Sequence, residues 1–155
     1  RLALLEDSLL SLRVWPNDLD VFGHMNNGRY SSIMDLGRLD LITRTGLSRL
    51  MWRRRWIPLV AASNLRFRRP LNPFKRYTLR TRIVCWDAKW FYIEQRFERH
   101  GELMAVGWIK GLIRGPRGNI PTADVLAAIG HDGDSPPMPE KVQKWEAMLC
   151  TEWSR

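Results

Sequence analysis

The sequence predicts an α+β fold in which one long helix lies against an antiparallel sheet. Apolar residues follow helical spacing between about residues 27 and 45, at Tyr30, Ile33, Met34, Gly37 and Leu41. Three segments of alternating apolar and polar residues come later in the chain, at residues 77–86, 90–99 and 103–114. Because only short turns separate these segments, they are expected to form an antiparallel meander.

Local signals place the remaining elements. Residues 9–15 are interpreted as a first strand that Pro16 ends, and Asn26 or Asn27 is the expected N-cap of the long helix. Gly37 in mid-helix costs roughly 1 kcal/mol in helix propensity relative to Ala, which a close approach of the sheet backbone would explain. Two further helices are expected, at residues 122–130 and from residue 140 onward.

Residues 47–56 are interpreted as a basic connector, in which three consecutive arginines (53–55) stand between Trp52 and Trp56. The sheet has a second face that the single long helix does not cover. That face is expected to be bare and to include Trp86 or Trp90, which are too apolar to remain in water. We therefore expect a homodimer or a tetramer, formed by sheet extension or by helix pairing.

The composition is that of a globular chain. Its 155 residues are 45% hydrophobic and include eight Trp, which predicts a single domain over residues 1–155 with its core at about 9–130 and a C-terminal extension at 131–155. No run approaches the roughly 18 to 20 apolar residues that span a bilayer. The first residue is Arg rather than Met, so an upstream targeting or anchor segment stays open.

The net charge of +9 favours an anionic partner, which could be a nucleic acid, a membrane surface or a phosphorylated small molecule. Cys85 and Cys150 have neither C-x-x-C nor metal-site spacing, so we expect two reduced thiols in a cytoplasmic protein. Neither a metal site nor a cofactor is predicted. The three His residues lack the i,i+4 spacing of a metal site, and no Gly-rich phosphate loop occurs.

Residues 17–30 concentrate the reactive side chains: Asn-Asp-Leu-Asp-Val-Phe-Gly-His-Met-Asn-Asn-Gly-Arg-Tyr. The long helix is expected to begin within this stretch. A helix N-terminus offers unpaired backbone N–H groups and the positive end of the helix dipole. A carboxylate beside it supplies a nucleophile or a base that faces a group able to polarise an electrophile. This arrangement favours cleavage of an acyl bond.

A strand, the motif from Asp18 to Tyr30, a long helix and a meander together resemble the hotdog-fold thioesterases. The branch most similar in motif is that of the 4-hydroxybenzoyl-CoA thioesterase-like acyl-CoA hydrolases, and the resemblance covers roughly residues 9–130. It implies a hotdog fold, in which an antiparallel sheet wraps around one long central helix, here with an additional C-terminal helix. It also implies hydrolysis of an acyl-CoA thioester to the free acid and CoA.

The resemblance gives roles to the motif residues. Asp20 matches the family's catalytic carboxylate, acting as nucleophile or general base. Asn27 matches the helix-start residue whose backbone N–H polarises the thioester carbonyl, and His24 has either a catalytic or a structural role. The motif residues expected at the substrate are Gly23, Asn26 and Tyr30.

Further substrate contacts are expected outside the motif. Active sites of hotdog dimers lie between subunits, so the resemblance implies that Ser63 and Asn64 from the second subunit face Asp20. Arginine suits the phosphates of coenzyme A through bidentate hydrogen bonds. The candidates are Arg53, Arg54, Arg55, Arg66, Arg68 and Arg69.

Structural interpretations and other functions stay open at this point. Asp20 could close an Asx turn or cap the helix, and Asp18 is expected to shape the turn. A hotdog hydratase, a hotdog protein that binds acyl thioesters without cleaving them, and a protein that binds single-stranded nucleic acid are the competing functions. Nucleic acid binding is not favoured, because the arginines alternate with core residues and no RNA-binding signature occurs.

Overall fold

The computed structural model describes residues 1–153, and within them an antiparallel sheet of six strands is accompanied by four α-helices. In chain order the elements are β1 (Ser8–Arg13), α1 (Asn27–Arg44), α2 (Leu47–Arg54), β2 (Ile57–Phe67), β3 (Arg76–Trp86), β4 (Phe91–Arg99), β5 (Glu102–Gly115), β6 (Gly118–Ile120), α3 (Thr122–Ala128) and α4 (Glu140–Trp153). The strand order is β1-β3-β4-β5-β2, and β6 pairs with the end of β5. The predicted α+β class and the sheet around a long helix are confirmed.

The helix α1 packs its apolar face against the sheet, as its sequence spacing predicts. Tyr30, Ile33 and Met34 share one buried cluster with Leu79 of β3 and Phe97 of β4. At Gly37 the approach is so close that an added Cβ would lie 2.5 Å from Leu79 Cδ2 and 2.8 Å from Thr81 Oγ1. The expected close approach is therefore present, but it is made to side chains of the sheet and not to its backbone.

One polar side chain in this interface fixes the helix to the sheet. Gln95 of β4 is fully buried, and its amide donates to the backbone oxygen of Met34 (2.8 Å) and to Thr81 Oγ1 (3.1 Å). Its own oxygen accepts from Arg38 Nη1 at 2.8 Å. Because these bonds occupy the side-chain amide, its burial leaves no unpaired polar group, which would otherwise be costly.

The second face of the sheet is not bare, so that expectation is wrong. Side chains alternate between faces along β4, and Tyr92 lies opposite to Phe91 and Ile93. Tyr92 and Cys85 pack there against Val142 and Trp145 of α4. Burial raises the pKa of the Cys85 thiol to about 11. The C-terminal helix was predicted, but an amphipathic pattern does not state which surface the helix will cover.

An ion pair joins α4 to this face. Lys110 Nζ of β5 lies 2.8 and 2.7 Å from the two carboxylate oxygens of Glu146, and the Tyr92 hydroxyl donates to the same carboxylate at 2.9 Å. Lys110 also lies 4.6 Å from the centroid of Trp90. Trp90, which was expected on the bare face, is thus partly covered. Trp86 packs within another apolar cluster.

Two local predictions differ from the structure. Residues 47–54 form a helix and not an irregular connector, because Leu47 and Met51 lie one turn apart and are both buried. Strict alternation over residues 77–86 would place Cys85 on the face of Leu79 and Thr81, but Cys85 lies on the other face because the β3–β4 register shifts between Ile83 and Cys85. One extra residue at such a bulge reverses the alternation beyond it.

Within residues 1–153 no helix has both the length and the apolar character to cross a bilayer. The division into a single domain over residues 1–155 stays a prediction, and residues 154–155 lie outside the described part of the chain.

Replacement of Gly37 by Ala tests the contact between α1 and the sheet. The substitution gains roughly 1 kcal/mol of helix propensity, but the added Cβ would overlap three side chains that lie within 2.9 Å of it. Overpacking of this kind costs about 1–3 kcal/mol. We expect a net loss of about 1 kcal/mol in the free energy of unfolding, measured by urea denaturation. Ser32→Ala, on the exposed face of α1, is the control, and a more stable Gly37→Ala variant would contradict the packing described.

Candidate active site

Asp18 organises the loop that precedes α1. Its side chain is buried, and Oδ2 accepts from the Trp15 backbone N–H at 2.8 Å while Oδ1 accepts from Arg29 Nε at 2.6 Å. Its main-chain oxygen accepts from the Asn26 N–H at 2.7 Å. Asp18 therefore ties the end of β1, the N-cap residue and the first turn of α1 together. The expectation that it shapes the turn is confirmed.

Asn26 is the N-cap of α1. Its φ and ψ of −61° and 136° are extended, and its side-chain oxygen accepts from the Gly28 N–H at 2.8 Å. The Asn27 N–H, one residue earlier, makes no hydrogen bond within residues 1–153. It is one of the N–H groups that a helix start leaves without an intrahelical partner. The Asn26 side chain therefore satisfies the Gly28 N–H and leaves the Asn27 N–H available.

Asp20 is half-buried and combines a structural contact with a carboxylate oxygen that has no partner. Oδ1 accepts from the Phe22 N–H at 2.9 Å and from the His24 N–H at 3.3 Å, so this oxygen closes an Asx turn. Oδ2 accepts no hydrogen bond within residues 1–153. One carboxylate oxygen thus orients the side chain, and the other is available for chemistry.

Asp20 and Asn27 line the same pocket, which has a volume of about 230 Å³. The loop and the start of α1 form one wall of this pocket, and the end of β2 with the residues after it forms the other. The other lining residues are His24, Met25, Tyr30, Phe67, Arg68, Arg69 and Pro70. A carboxylate, a free N–H at a helix start and two guanidinium groups therefore share one small polar space.

Tyr30 and His24 enter this pocket differently. Tyr30 is buried between Phe67 and Phe97, with both ring centroids 4.9 Å from its own. Burial raises the pKa of its hydroxyl, against a hydrogen bond with the Leu71 backbone that lowers it. His24 is exposed, and within residues 1–153 its hydrogen bonds are made by its backbone to Asp20. Tyr30 therefore forms a rigid wall, whereas the His24 ring is free to meet a ligand.

The structure separates some of the predicted residues from the pocket. Gly23 and Asn26 lie in the loop but are not among its lining residues, and Gly23 has the positive φ (74°) that its turn requires. Ser63, Asn64 and Arg66 lie along β2. Arg53, Arg54 and Arg55 lie before the start of β2, whereas the pocket lies at its far end.

Phe67, Arg69 and Pro70 line the pocket. The sequence gave no signal for Phe67 and Pro70. They reach the loop because the Met25 N–H donates to the Leu71 oxygen at 3.0 Å. Such a contact joins segments that are more than forty residues apart in the sequence. Arg69 was named as a phosphate candidate, and it also forms an ion pair with Glu102 at 2.8 Å.

A larger apolar cavity of about 340 Å³ lies further along α1. It is enclosed by the second half of α1, the start of β2 and the middle strands. Most of its lining side chains are aliphatic, including Leu39, Ile42, Leu59, Val60, Ile93 and Ile109. Its volume is within the range of small-molecule sites.

The fold and the pocket together define the class of the protein. An antiparallel sheet around one long helix, with a carboxylate at the helix start, is the architecture of a hotdog-fold thioester hydrolase. The family model described as the thioesterase-like superfamily matches residues 14–145, and the chain belongs to that superfamily.

Individual relatives agree with this assignment. Protein THEM6 of Xenopus laevis is 34% identical over 145 residues, which are 92% of this chain and 68% of the relative. A probable thioesterase of Saccharomyces cerevisiae, YBR096W, is 28% identical over 74% of this chain and 51% of its own length. The crystal structure of the probable thioesterase YbaW from Escherichia coli is similar in fold, with a TM-score of 0.72 and 20% identity over 78% of this chain and 94% of that one.

Replacement of Asn26 by Ala tests the helix start that the pocket depends on. Loss of the N-cap acceptor leaves the Gly28 N–H unpaired, so the free energy of unfolding should fall by about 1 kcal/mol. Asn26→Ser should retain most of this stability, since a hydroxyl oxygen can also accept from the helix start. Chemical denaturation measures both variants, with Asn119→Ala in β6 as the control. Equal stability of wild type and Asn26→Ala would contradict the capping role.

Proposed function

We propose that the protein hydrolyses an acyl-CoA thioester to the free acid and CoA, with the reaction centred on Asp20. One observation carries this proposal: Asp20, which keeps one carboxylate oxygen free of hydrogen bonds, and Asn27, whose N–H is unpaired, line the same pocket. Hydrolysis of a thioester needs a nucleophile or base on the carbonyl carbon and a hydrogen-bond donor at the carbonyl oxygen.

The two groups divide the chemistry between them. The Asn27 N–H donates to the carbonyl oxygen, and this bond strengthens as negative charge develops there, at the positive end of α1. Asp20 then either attacks the carbonyl carbon, expelling the CoA thiolate and leaving a mixed anhydride that water hydrolyses, or removes a proton from the attacking water. The Asx turn is compatible with both routes, because it uses Oδ1 and leaves Oδ2 available to attack the carbonyl carbon or to accept a proton.

The remaining pocket residues supply binding. Arg68 and Arg69 offer guanidinium groups to the phosphates of coenzyme A, for which arginine is suited. Tyr30 and Phe67 form an apolar wall beside the reacting carbonyl. Gly23 and Asn26 act indirectly, through the turn and the helix start. The role of the His24 ring as a contact to substrate is part of the proposal.

We further propose a homodimer that forms through the free edge of β2. Within residues 1–153 this strand pairs with β5 on one side only, and Leu59, Val60 and Phe67 are about half exposed. Antiparallel pairing of two β2 edges would place the start of one strand beside the end of the other. Each pocket would then lie next to the apolar cavity of the second subunit, which could receive the acyl group, and Ser63 and Asn64 would lie at the seam.

Two other functions are less well supported. In a hotdog protein that binds acyl thioesters without cleaving them, the free carboxylate oxygen of Asp20 would have no function. A nucleic acid-binding protein would need a continuous basic groove with stacking side chains, whereas Tyr30 and Phe67 are packed against each other. Thiol release from acyl-CoA separates the hydrolase from both of these functions.

Asp20→Asn should reduce turnover by at least about two orders of magnitude, which corresponds to a barrier increase near 3 kcal/mol. The amide oxygen can still accept from the Phe22 N–H, so the loop should keep its conformation. Release of free CoA from a panel of acyl-CoA substrates measures the effect.

Asp134→Asn, at an exposed position outside the pocket, is the matched control and should retain wild-type turnover. If Asp20→Asn is as active as the wild type, Asp20 has no part in the mechanism. If the wild type binds acyl-CoA and releases no thiol from any member of the panel, the binding protein is the correct function.

Val60→Asp tests the proposed dimer. A charge on the free edge of β2 should prevent pairing with a second strand, so we expect a shift from dimer to monomer in sedimentation velocity, with retention of the circular dichroism spectrum. Met148→Asp, at a half-exposed apolar position of α4, should leave the dimer intact. A wild-type protein that is monomeric while active would contradict an interface of this kind.

A further inference from the structure

A basic surface with an exposed tryptophan lies at the end of α2, away from the pocket of the same subunit. It consists of Trp52, Arg53, Arg54, Arg55 and Ile57, and is called the α2 surface below. The Trp52 side chain is 85% exposed and Ile57 is 59% exposed. All three arginines are exposed as well. Four of these five residues line a single concavity.

The helix itself holds Trp52 in water. Leu47 and Met51, one turn apart, are buried in a cluster beneath α2. Trp52 follows Met51 directly, so it is rotated by about 100° from the buried side of the helix. The end of the helix is also fixed, because the Trp56 N–H donates to the Met51 oxygen at 2.8 Å. The exposure of Trp52 is therefore a property of the packed fold.

The positive charge of this surface is not neutralised within the described chain. Residues 41–86 contain twelve Lys and Arg residues and no Asp or Glu. No ion pair within residues 1–153 includes Arg53, Arg54 or Arg55. Arg54 lies instead over the Trp56 ring, with its guanidinium carbon 5.0 Å from the ring centroid.

We propose that the α2 surface docks on the surface of an anionic lipid bilayer. Tryptophan is enriched at the level of the lipid headgroups, where its ring meets apolar and polar surroundings together. Basic side chains beside it are attracted to anionic headgroups. A bilayer surface thus provides a partner for Trp52, Ile57 and the three arginines at once. A soluble phosphate would satisfy the arginines and leave Ile57 in water.

Co-sedimentation of the full chain with vesicles tests the proposal. We expect binding to vesicles of phosphatidylcholine mixed with phosphatidylserine, little binding to phosphatidylcholine alone, and weakening as salt screens the charges. Each basic side chain near such a surface contributes about a fivefold change in partitioning, so replacing all three arginines (53–55) by Gln should weaken binding about a hundredfold. Trp52→Ala should weaken it severalfold.

Matched variants separate this surface from the general charge of the protein. A triple variant with Lys75, Arg76 and Lys141 replaced by Gln removes the same charge from exposed positions elsewhere and should bind like the wild type. Trp15→Ala, at a tryptophan that is 53% exposed, is the corresponding control for Trp52. Thermal melting of every variant shows whether it is folded.

Several results would overturn the proposal. They are an absence of vesicle binding by the wild type, equal losses in the two triple variants, and tighter α2-dependent binding to a single-stranded oligonucleotide than to the vesicles. If coenzyme A displaced the protein from vesicles, the three arginines would instead be assigned to binding the substrate of a second subunit. Antiparallel pairing of β2 could bring that substrate near them. Dissociation of a dimer by Trp52→Ala, without vesicle binding, would assign the surface to contacts between copies of the chain.

Discussion

The buried carboxylate of Asp18 is the contact on which the geometry of the site depends. It is 4% exposed, and its burial is stabilised by the Trp15 N–H and the Arg29 guanidinium, since a carboxylate without such partners would be costly to desolvate. These partners belong to the end of β1 and to the first turn of α1. The contact therefore fixes the loop between them, and with it the positions of Asp20 and the Asn27 N–H.

The remainder of the fold holds the other wall of the pocket in place. Gln95 and the small residue Gly37 bring α1 close to the middle strands, which fixes where the helix starts relative to the sheet. The end of β2 is joined to the same loop through the Met25–Leu71 hydrogen bond. Two segments that are distant in sequence, residues 20–30 and 67–70, thus line the pocket of Asp20, although neither is specific to thioester chemistry by itself.

Local patterns were sufficient to predict β1, α1, the meander and the two later helices, but not α2, and distant contacts decided what the sequence could not show. The spacing of Tyr30, Ile33, Met34 and Leu41 correctly predicted the buried face of α1, and of the two N-cap candidates Asn26 and Asn27 it is Asn26 that caps the helix. The bulge near Val84 moves Cys85 to the face opposite to the one that alternation predicts. The sequence could not show this, because a single extra residue leaves no mark in an alternating pattern. The cover of the second face by α4 involves contacts between distant residues, such as Tyr92 with Val142 and Lys110 with Glu146, which no local period encodes.

The strand β2 carries different chemistry at its two ends, and this restricts how two copies could pair. Its first residues, including Ile57 and Val60, are apolar and exposed, whereas Arg66 and Arg68 stand at or just beyond its other end. Parallel pairing would place like charges from two subunits beside each other, which is unfavourable. Antiparallel pairing, which a two-fold axis produces, keeps the two copies of Arg66 and of Arg68 apart. The same arrangement would bring a polar pocket and an apolar cavity together, as an acyl-CoA with a charged carrier and an apolar acyl group requires.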